Sequence, residues 1–119
     1  MSEPRRVLVV DDNATNRMLA KALLSRKGWI VDEADCGEVA LQKFSTQDYP
    51  LVLLDISMPG LSGEQTCVEI RNIGKPVHII AYTAHAFPEE RAKFLAIGFD
   101  DILVKPINRL QLEELISKV

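Results

Sequence analysis

The run Val7-Leu8-Val9-Val10 ends directly in Asp11-Asp12, and its reading decides the fold. Unbroken apolar residues with no polar alternation describe a strand covered on both faces, as in a parallel sheet between helix layers. The pattern recurs at Leu51-Val52-Leu53-Leu54, closed by Asp55, and at Val77-His78-Ile79-Ile80-Ala81. Weaker runs sit at Trp29-Ile30-Val31 and Ile102-Leu103-Val104.

Segments of helical period separate these runs. Ala14 to Lys27 places Met18, Leu19, Ala22 and Leu23 on one face, and Gly28 stops it. Gly37 to Ser45 carries Ala40, Leu41 and Phe44, and Glu64 to Ile73 carries Cys67, Val68 and Ile70. Pro88 to Ala96 carries Ala92, Leu95 and Ala96, with Pro88 suited to a first turn. Asn108 to Lys118 sets Leu112, Leu115, Ile116 and Val119 on the cleanest amphipathic stripe of the chain. Strand and helix alternate throughout, which predicts an α/β three-layer sandwich with right-handed crossovers.

Composition bounds the function. The 119 residues suit one domain, read as 1–119 with a core of about 6–119, and 47% are hydrophobic, enough for a real core. With 14 Lys+Arg against 17 Asp+Glu the net charge is -3, which argues against direct nucleic-acid binding. The apolar runs fall far short of the ~20 residues of a membrane span. Arg5 and Arg6 precede an apolar run too short for a signal peptide. Cys36 and Cys67 have no metal or redox spacing and read as small buried hydrophobes in a reducing, cytoplasmic setting.

In open parallel sheets, sites form at the carboxyl ends of the strands. Those ends here carry Asp11-Asp12, Asp55, Thr83 and Lys105-Pro106. Each has an ordinary explanation taken alone: helix-start acids, a turn residue before Met58-Pro59-Gly60, a plain strand threonine, a solvated lysine. Together they put three carboxylates, a hydroxyl and one ammonium in a single crevice. Ionised carboxylates about 4 Å apart repel by ~4 kcal/mol at an effective dielectric of 20. The cluster therefore calls for a cation or for protonated acids. An open, all-oxygen site with few carboxylates suits Mg²⁺, with Mn²⁺ as an alternative, and such a site serves phosphoryl transfer.

Val9-Val10-Asp11-Asp12-Asn13, Leu54-Asp55-Ile56-Ser57-Met58-Pro59-Gly60, Thr83-Ala84 and Val104-Lys105-Pro106 together resemble the signature of response-regulator receiver domains, the CheY-like superfamily. The resemblance runs from Arg6 to Val119. It implies a flavodoxin-like (βα)5 fold with strand order 2-1-3-4-5. Asp55 would accept a phosphoryl group from a phosphohistidine. Asp11, Asp12, Asp55 and the Ser57 backbone carbonyl would hold the Mg²⁺. Lys105, the Thr83 hydroxyl and the Ala84 N–H would contact phosphoryl oxygens, and the Lys105–Pro106 bond would be cis. The implied chemistry is self-phosphorylation and self-dephosphorylation at Asp55, without other enzyme activity.

Asn13, Asn16-Arg17 and Ala81-Tyr82-Thr83-Ala84-His85-Ala86 resemble receivers of hybrid sensor kinases and multistep phosphorelays. The implied partners are a histidine kinase or a histidine-phosphotransfer domain. A downstream protein target, or a second copy, would meet the face of the fourth helix, fifth strand and fifth helix. The chain reads as a stand-alone regulator or as the receiver of a longer hybrid kinase, Met1 leaning toward the former. Ile102 stands where many receivers carry Tyr or Phe, which puts an aromatic switch in doubt. Ser62, followed by Gln65, reads as a capping box at the third helix. His78 reads as a packed or edge histidine, and His85 as a residue flanking the crevice. The competing readings are an aspartyl-nucleophile metal-dependent phosphatase, where Ser57 replaces the second acid, a flavin or nucleotide binder, and a degenerate scaffold receiver.

Overall fold

The computed structural model describes residues 5–119, so Met1 and its three successors lie outside the described residues. The strands are β1 (Arg6–Val10), β2 (Ile30–Ala34), β3 (Leu51–Asp55), β4 (His78–Thr83) and β5 (Asp101–Val104). The helices are α1 (Ala14–Arg26), α2 (Gly37–Thr46), α3 (Gly63–Ile73), α4 (Pro88–Ile97) and α5 (Arg109–Ile116). All neighbouring strands pair in parallel, in the order β2-β1-β3-β4-β5. The expected sandwich and strand order are both present.

The central strand β3 is buried along its whole length, as its unbroken apolar run requires. Alternate side chains of the sheet feed two cores. Leu8, Val10, Val52, Leu54, Ile79 and Ala81 face Phe44, Ile70 and Phe94 on one side. Val7, Val9, Leu51, Leu53, Ile80 and Tyr82 face Leu24, Leu112 and Ile116 on the other. No helix is long and apolar enough to cross a membrane among the described residues.

Several sequence expectations need correction. β2 lies at Ile30–Ala34 rather than at Trp29–Val31. It is an edge strand, and Asp32 and Glu33 within it interrupt the apolar signal. β4 begins one residue later than expected and extends through Tyr82 to Thr83. In α1 the buried residues are Ala20 and Leu24, while Met18 (67% exposed), Leu19 and Ala22 face solvent. In α4 Phe94 is the buried residue, and Ala92, Leu95 and Ala96 face out. Val68 of α3 is exposed. Cys36 is only half-buried, at the start of α2, whereas Cys67 is buried as expected. Both faces of α1 and α4 carry apolar residues, so hydropathy alone does not mark the inward one.

Helix starts follow local chemistry. Asn13 caps α1 by accepting the Asn16 N–H, and Asn108 caps α5 by accepting the Gln111 N–H. Ser62 and Gln65 form the expected capping box at α3. Pro88 occupies the first turn of α4.

Candidate functional site

The carboxyl ends of β1, β3, β4 and β5 meet at one edge of the sheet. Asp11 follows β1, and its backbone N–H donates to the Ala34 carbonyl at 3.1 Å, continuing the ladder with β2 by one step. Its side chain is 1% exposed. Asp55 ends β3 and is equally buried. Asp12 is exposed at the rim. One carboxylate oxygen from each of Asp11, Asp12 and Asp55 lies within 4.8 Å of the others.

Lys105 reaches into this cluster from the end of β5. Its Nζ lies 3.0 Å from Asp55 Oδ1 and 3.7 Å from Asp11 Oδ2. The ammonium also sits 5.0 Å from the centre of the buried Tyr82 ring, a cation–π contact. The Lys105–Pro106 bond is cis, as expected. The Lys105 N–H donates to the Thr83 carbonyl at 2.7 Å, tying this loop to β4.

The acids are incompletely satisfied. Asp11 Oδ1 accepts the Asn13 N–H at 2.8 Å, and Asp55 Oδ1 accepts the Ser57 N–H at 3.2 Å as well as Lys105. Asp11 Oδ2 and Asp55 Oδ2 are buried with no hydrogen-bond partner. Such atoms carry a desolvation cost unless a cation or donor meets them. Burial pushes the Asp55 carboxyl up from 3.8 to about 6; Lys105 opposes the rise and the charge of Asp11 adds to it. At ~4.8 Å and an effective dielectric of 20, each carboxylate pair repels by ~3.5 kcal/mol. One ammonium cannot offset three carboxylates. The donor set is all oxygen, with two orphaned buried atoms in it, and it fits a hard divalent ion such as Mg²⁺.

Thr83 is buried beside this edge, but its hydroxyl is engaged by the following loop. It donates to the His85 carbonyl at 3.0 Å and accepts the His85 N–H at 3.3 Å. Ala84 and Ser57 are exposed. His78 lies away from this edge, at the start of β4, with its Nε2 2.7 Å from Asp101 Oδ2. It is a half-buried histidine packed against Asp101, the packed one of the two readings the sequence offered.

The supporting roles of three residues were not legible in the sequence, although Arg17 and Tyr82 stand in the motifs quoted above. A Cβ on Gly63 would come within 2.1 Å of the Asp55 carbonyl oxygen and 2.7 Å of Ile56 Cα. Only glycine lets the start of α3 approach the end of β3 this closely. Arg17 donates through Nη1 to the Asp11 carbonyl at 2.7 Å and pairs with Glu33 at 3.2 Å, bracing the turn that carries the acids. Tyr82 supplies the surface under Lys105. A glycine or arginine carries no signal of such a role by its type alone, because the role lies in how the turn that carries it folds back on the strand end.

Over residues 7–117 the sequence matches the family described as response regulator receiver domain. The chain belongs to that family. This receiver is 40% identical to the sensor histidine kinase GacS of Pseudomonas protegens, over 98% of its own length but 13% of that kinase. It is 36% identical to the two-component response regulator ORR41 of Oryza sativa subsp. japonica, covering 95% of this chain and 92% of that protein. Receivers like this one thus occur inside much longer sensor kinases and in short regulators. Among solved structures, the receiver domain of sensor histidine kinase PA1611 from Pseudomonas aeruginosa superposes with a TM-score of 0.87 at 32% identity. The match covers 98% of this chain and 97% of that one, and that structure has a magnesium ion coordinated in its active-site cleft.

Proposed function

We propose that this receiver takes a phosphoryl group from a phosphohistidine onto Asp55 and thereby changes the surface it offers to a partner. The single observation that carries the reading is the gathering of Asp11, Asp12 and Asp55 within 4.8 Å around one lysine. A donor imidazole presents its phosphorus to an Asp55 oxygen; the P–N bond breaks as the O–P bond forms, and the imidazole leaves with the electron pair. Asp55 then carries an acyl phosphate. Asp11, Asp12, Asp55 and the Ser57 carbonyl would hold Mg²⁺. When bound, Mg²⁺ neutralises the charge that three acids and an incoming phosphoryl group bring together.

The chain's own residues do the rest. Lys105 releases part of its hold on Asp55 and pairs with a phosphoryl oxygen. Thr83 turns its hydroxyl from the His85 carbonyl to a second oxygen, and the Ala84 N–H donates to the bound group. The movement of Thr83 draws the loop before α4, so that phosphorylation biases two states of the α4–β5–α5 face. The phosphodonor class is a histidine kinase or histidine-phosphotransfer domain, which agrees with the kinase among the relatives.

The test is labelling by acetyl phosphate, with mass spectrometry of the intact chain and of its peptides. A gain of one phosphoryl group at Asp55 that requires Mg²⁺ and is lost in Asp55→Asn supports the reading. Absence of any adduct on folded protein at saturating Mg²⁺ overturns it.

A further inference from the structure

The loop between β4 and α4 is closed by an aromatic pair. The rings of His85 and Phe87 stack with centroids 5.8 Å apart and planes within 7°. Phe87 is 60% exposed, and its ring stacks on that of His85. Around the pair, the loop is tied twice more. The Arg91 side chain donates to the Ala86 carbonyl at 3.0 Å, and the Arg91 N–H donates to the Phe87 carbonyl at 2.9 Å. The same His85 whose ring is stacked engages the Thr83 hydroxyl through both of its backbone groups.

Ile102, the β5 residue paired with Ala81, offers no moving part. It is 6% exposed and packed in the same cluster as Phe94 and Phe99, with Ala86 against that cluster. A β-branched side chain in a strand is stiff at χ1. The exposed aromatic of the loop that follows Thr83 is Phe87.

We infer that Phe87 is a positioning residue: by clamping the His85 ring it fixes the His85 backbone, which keeps the Thr83 hydroxyl engaged with its own loop. The inference rests on the proposed phosphoacceptor role and deepens it, because it names what opposes switching. A clamp that stabilises the resting loop lowers apparent affinity for any group that needs Thr83 to turn. An aromatic stack of this kind corresponds to about a two- to tenfold effect.

The experiment compares Phe87→Ala and Phe87→Tyr with the unaltered chain. Calorimetry measures Mg²⁺ alone and then beryllofluoride in saturating Mg²⁺. Three-bond NMR couplings to Thr83 Cγ2 report its χ1 without any ligand. The clamp predicts that Phe87→Ala binds beryllofluoride about two- to tenfold tighter, with Mg²⁺ affinity unchanged and Thr83 χ1 averaged over rotamers. Phe87→Tyr restores all three to the original values. A Thr83 rotamer unaffected by Phe87→Ala overturns the clamp, as does unchanged or weaker beryllofluoride binding in a chain that does bind it. If the unaltered chain binds no beryllofluoride, the phosphoacceptor reading fails, while the Thr83 couplings still decide whether the clamp exists.

Discussion

Asp55→Asn is expected to stabilise the protein, and by an amount that depends on pH. The native carboxyl is pushed up from 3.8 to about 6, chiefly by burial. At about 1.36 kcal/mol for each tenfold change in protonation, that displacement is ~3 kcal/mol against the ionised native form. The sign follows from proton counts. Below about pH 4 the carboxyl is protonated in both native and unfolded chains, and it carries no such penalty. Between about pH 4 and pH 6 the native chain holds more proton than the unfolded one, so stability falls as pH rises. Above about pH 6 the whole penalty is present. Asparagine keeps the shape and removes the charge, but its amide cannot pair with Lys105 as the carboxylate does. The net expectation at pH 8 without Mg²⁺ is therefore ~1–3 kcal/mol of stabilisation, or roughly 3–12 °C in Tm for a domain of this size. Urea denaturation of both chains at pH 4, 5, 6, 7 and 8 reads it directly. The gap should open across the middle of that series and shrink again when Mg²⁺ is added at high pH. A less stable Asn variant at pH 8, or a gap that does not change with pH, refutes the argument from buried charge.

Other substitutions test other parts of the site. Lys105→Met removes the cation 3.0 Å from Asp55 and leaves two buried carboxylates without a counter-charge; without metal it should cost ~1–3 kcal/mol in urea denaturation, retain Mg²⁺ binding by calorimetry, and lose at least about tenfold in beryllofluoride affinity. Gly63→Ala forces a methyl group against the Asp55 carbonyl and Ile56 Cα; about 1–3 kcal/mol of destabilisation is expected, with a loss of Mg²⁺ affinity because the end of β3 must shift. Ser62→Ala breaks the capping box of α3 and should cost ~1 kcal/mol in the same denaturation assay, with Mg²⁺ affinity unaltered.

The buried strands were legible because a strand covered on both faces leaves a continuous apolar run. Val7–Val10 and Leu51–Leu54 fall inside β1 and β3. Edge strand β2 was misplaced, since Asp32 and Glu33 sit within it and mask the apolar pattern. The helices were found, but of the expected α1 face only Leu23 packs inward, and the expected α4 face is exposed. Met18 and Leu19 are more apolar than the buried Ala20, and Leu95 neighbours the buried Phe94, so hydropathy could not choose between adjacent stripes. The acids and Lys105 were each readable as strand-end residues. That the Thr83 hydroxyl is held by His85, and that Gly63 admits α3 against Asp55, depends on loop conformation and close packing.

The amino-acid sequence by itself determined which residues end up together, because strand-to-helix alternation in a parallel sheet delivers every strand terminus to one edge. Tertiary structure alone decided how well those residues are satisfied. Burial of Asp11 and Asp55, the reach of Lys105 and the orphaned Oδ2 atoms are distances between segments far apart in the chain. Desolvation and Coulomb energy depend on those distances and on the depth of water around them, which no local pattern encodes.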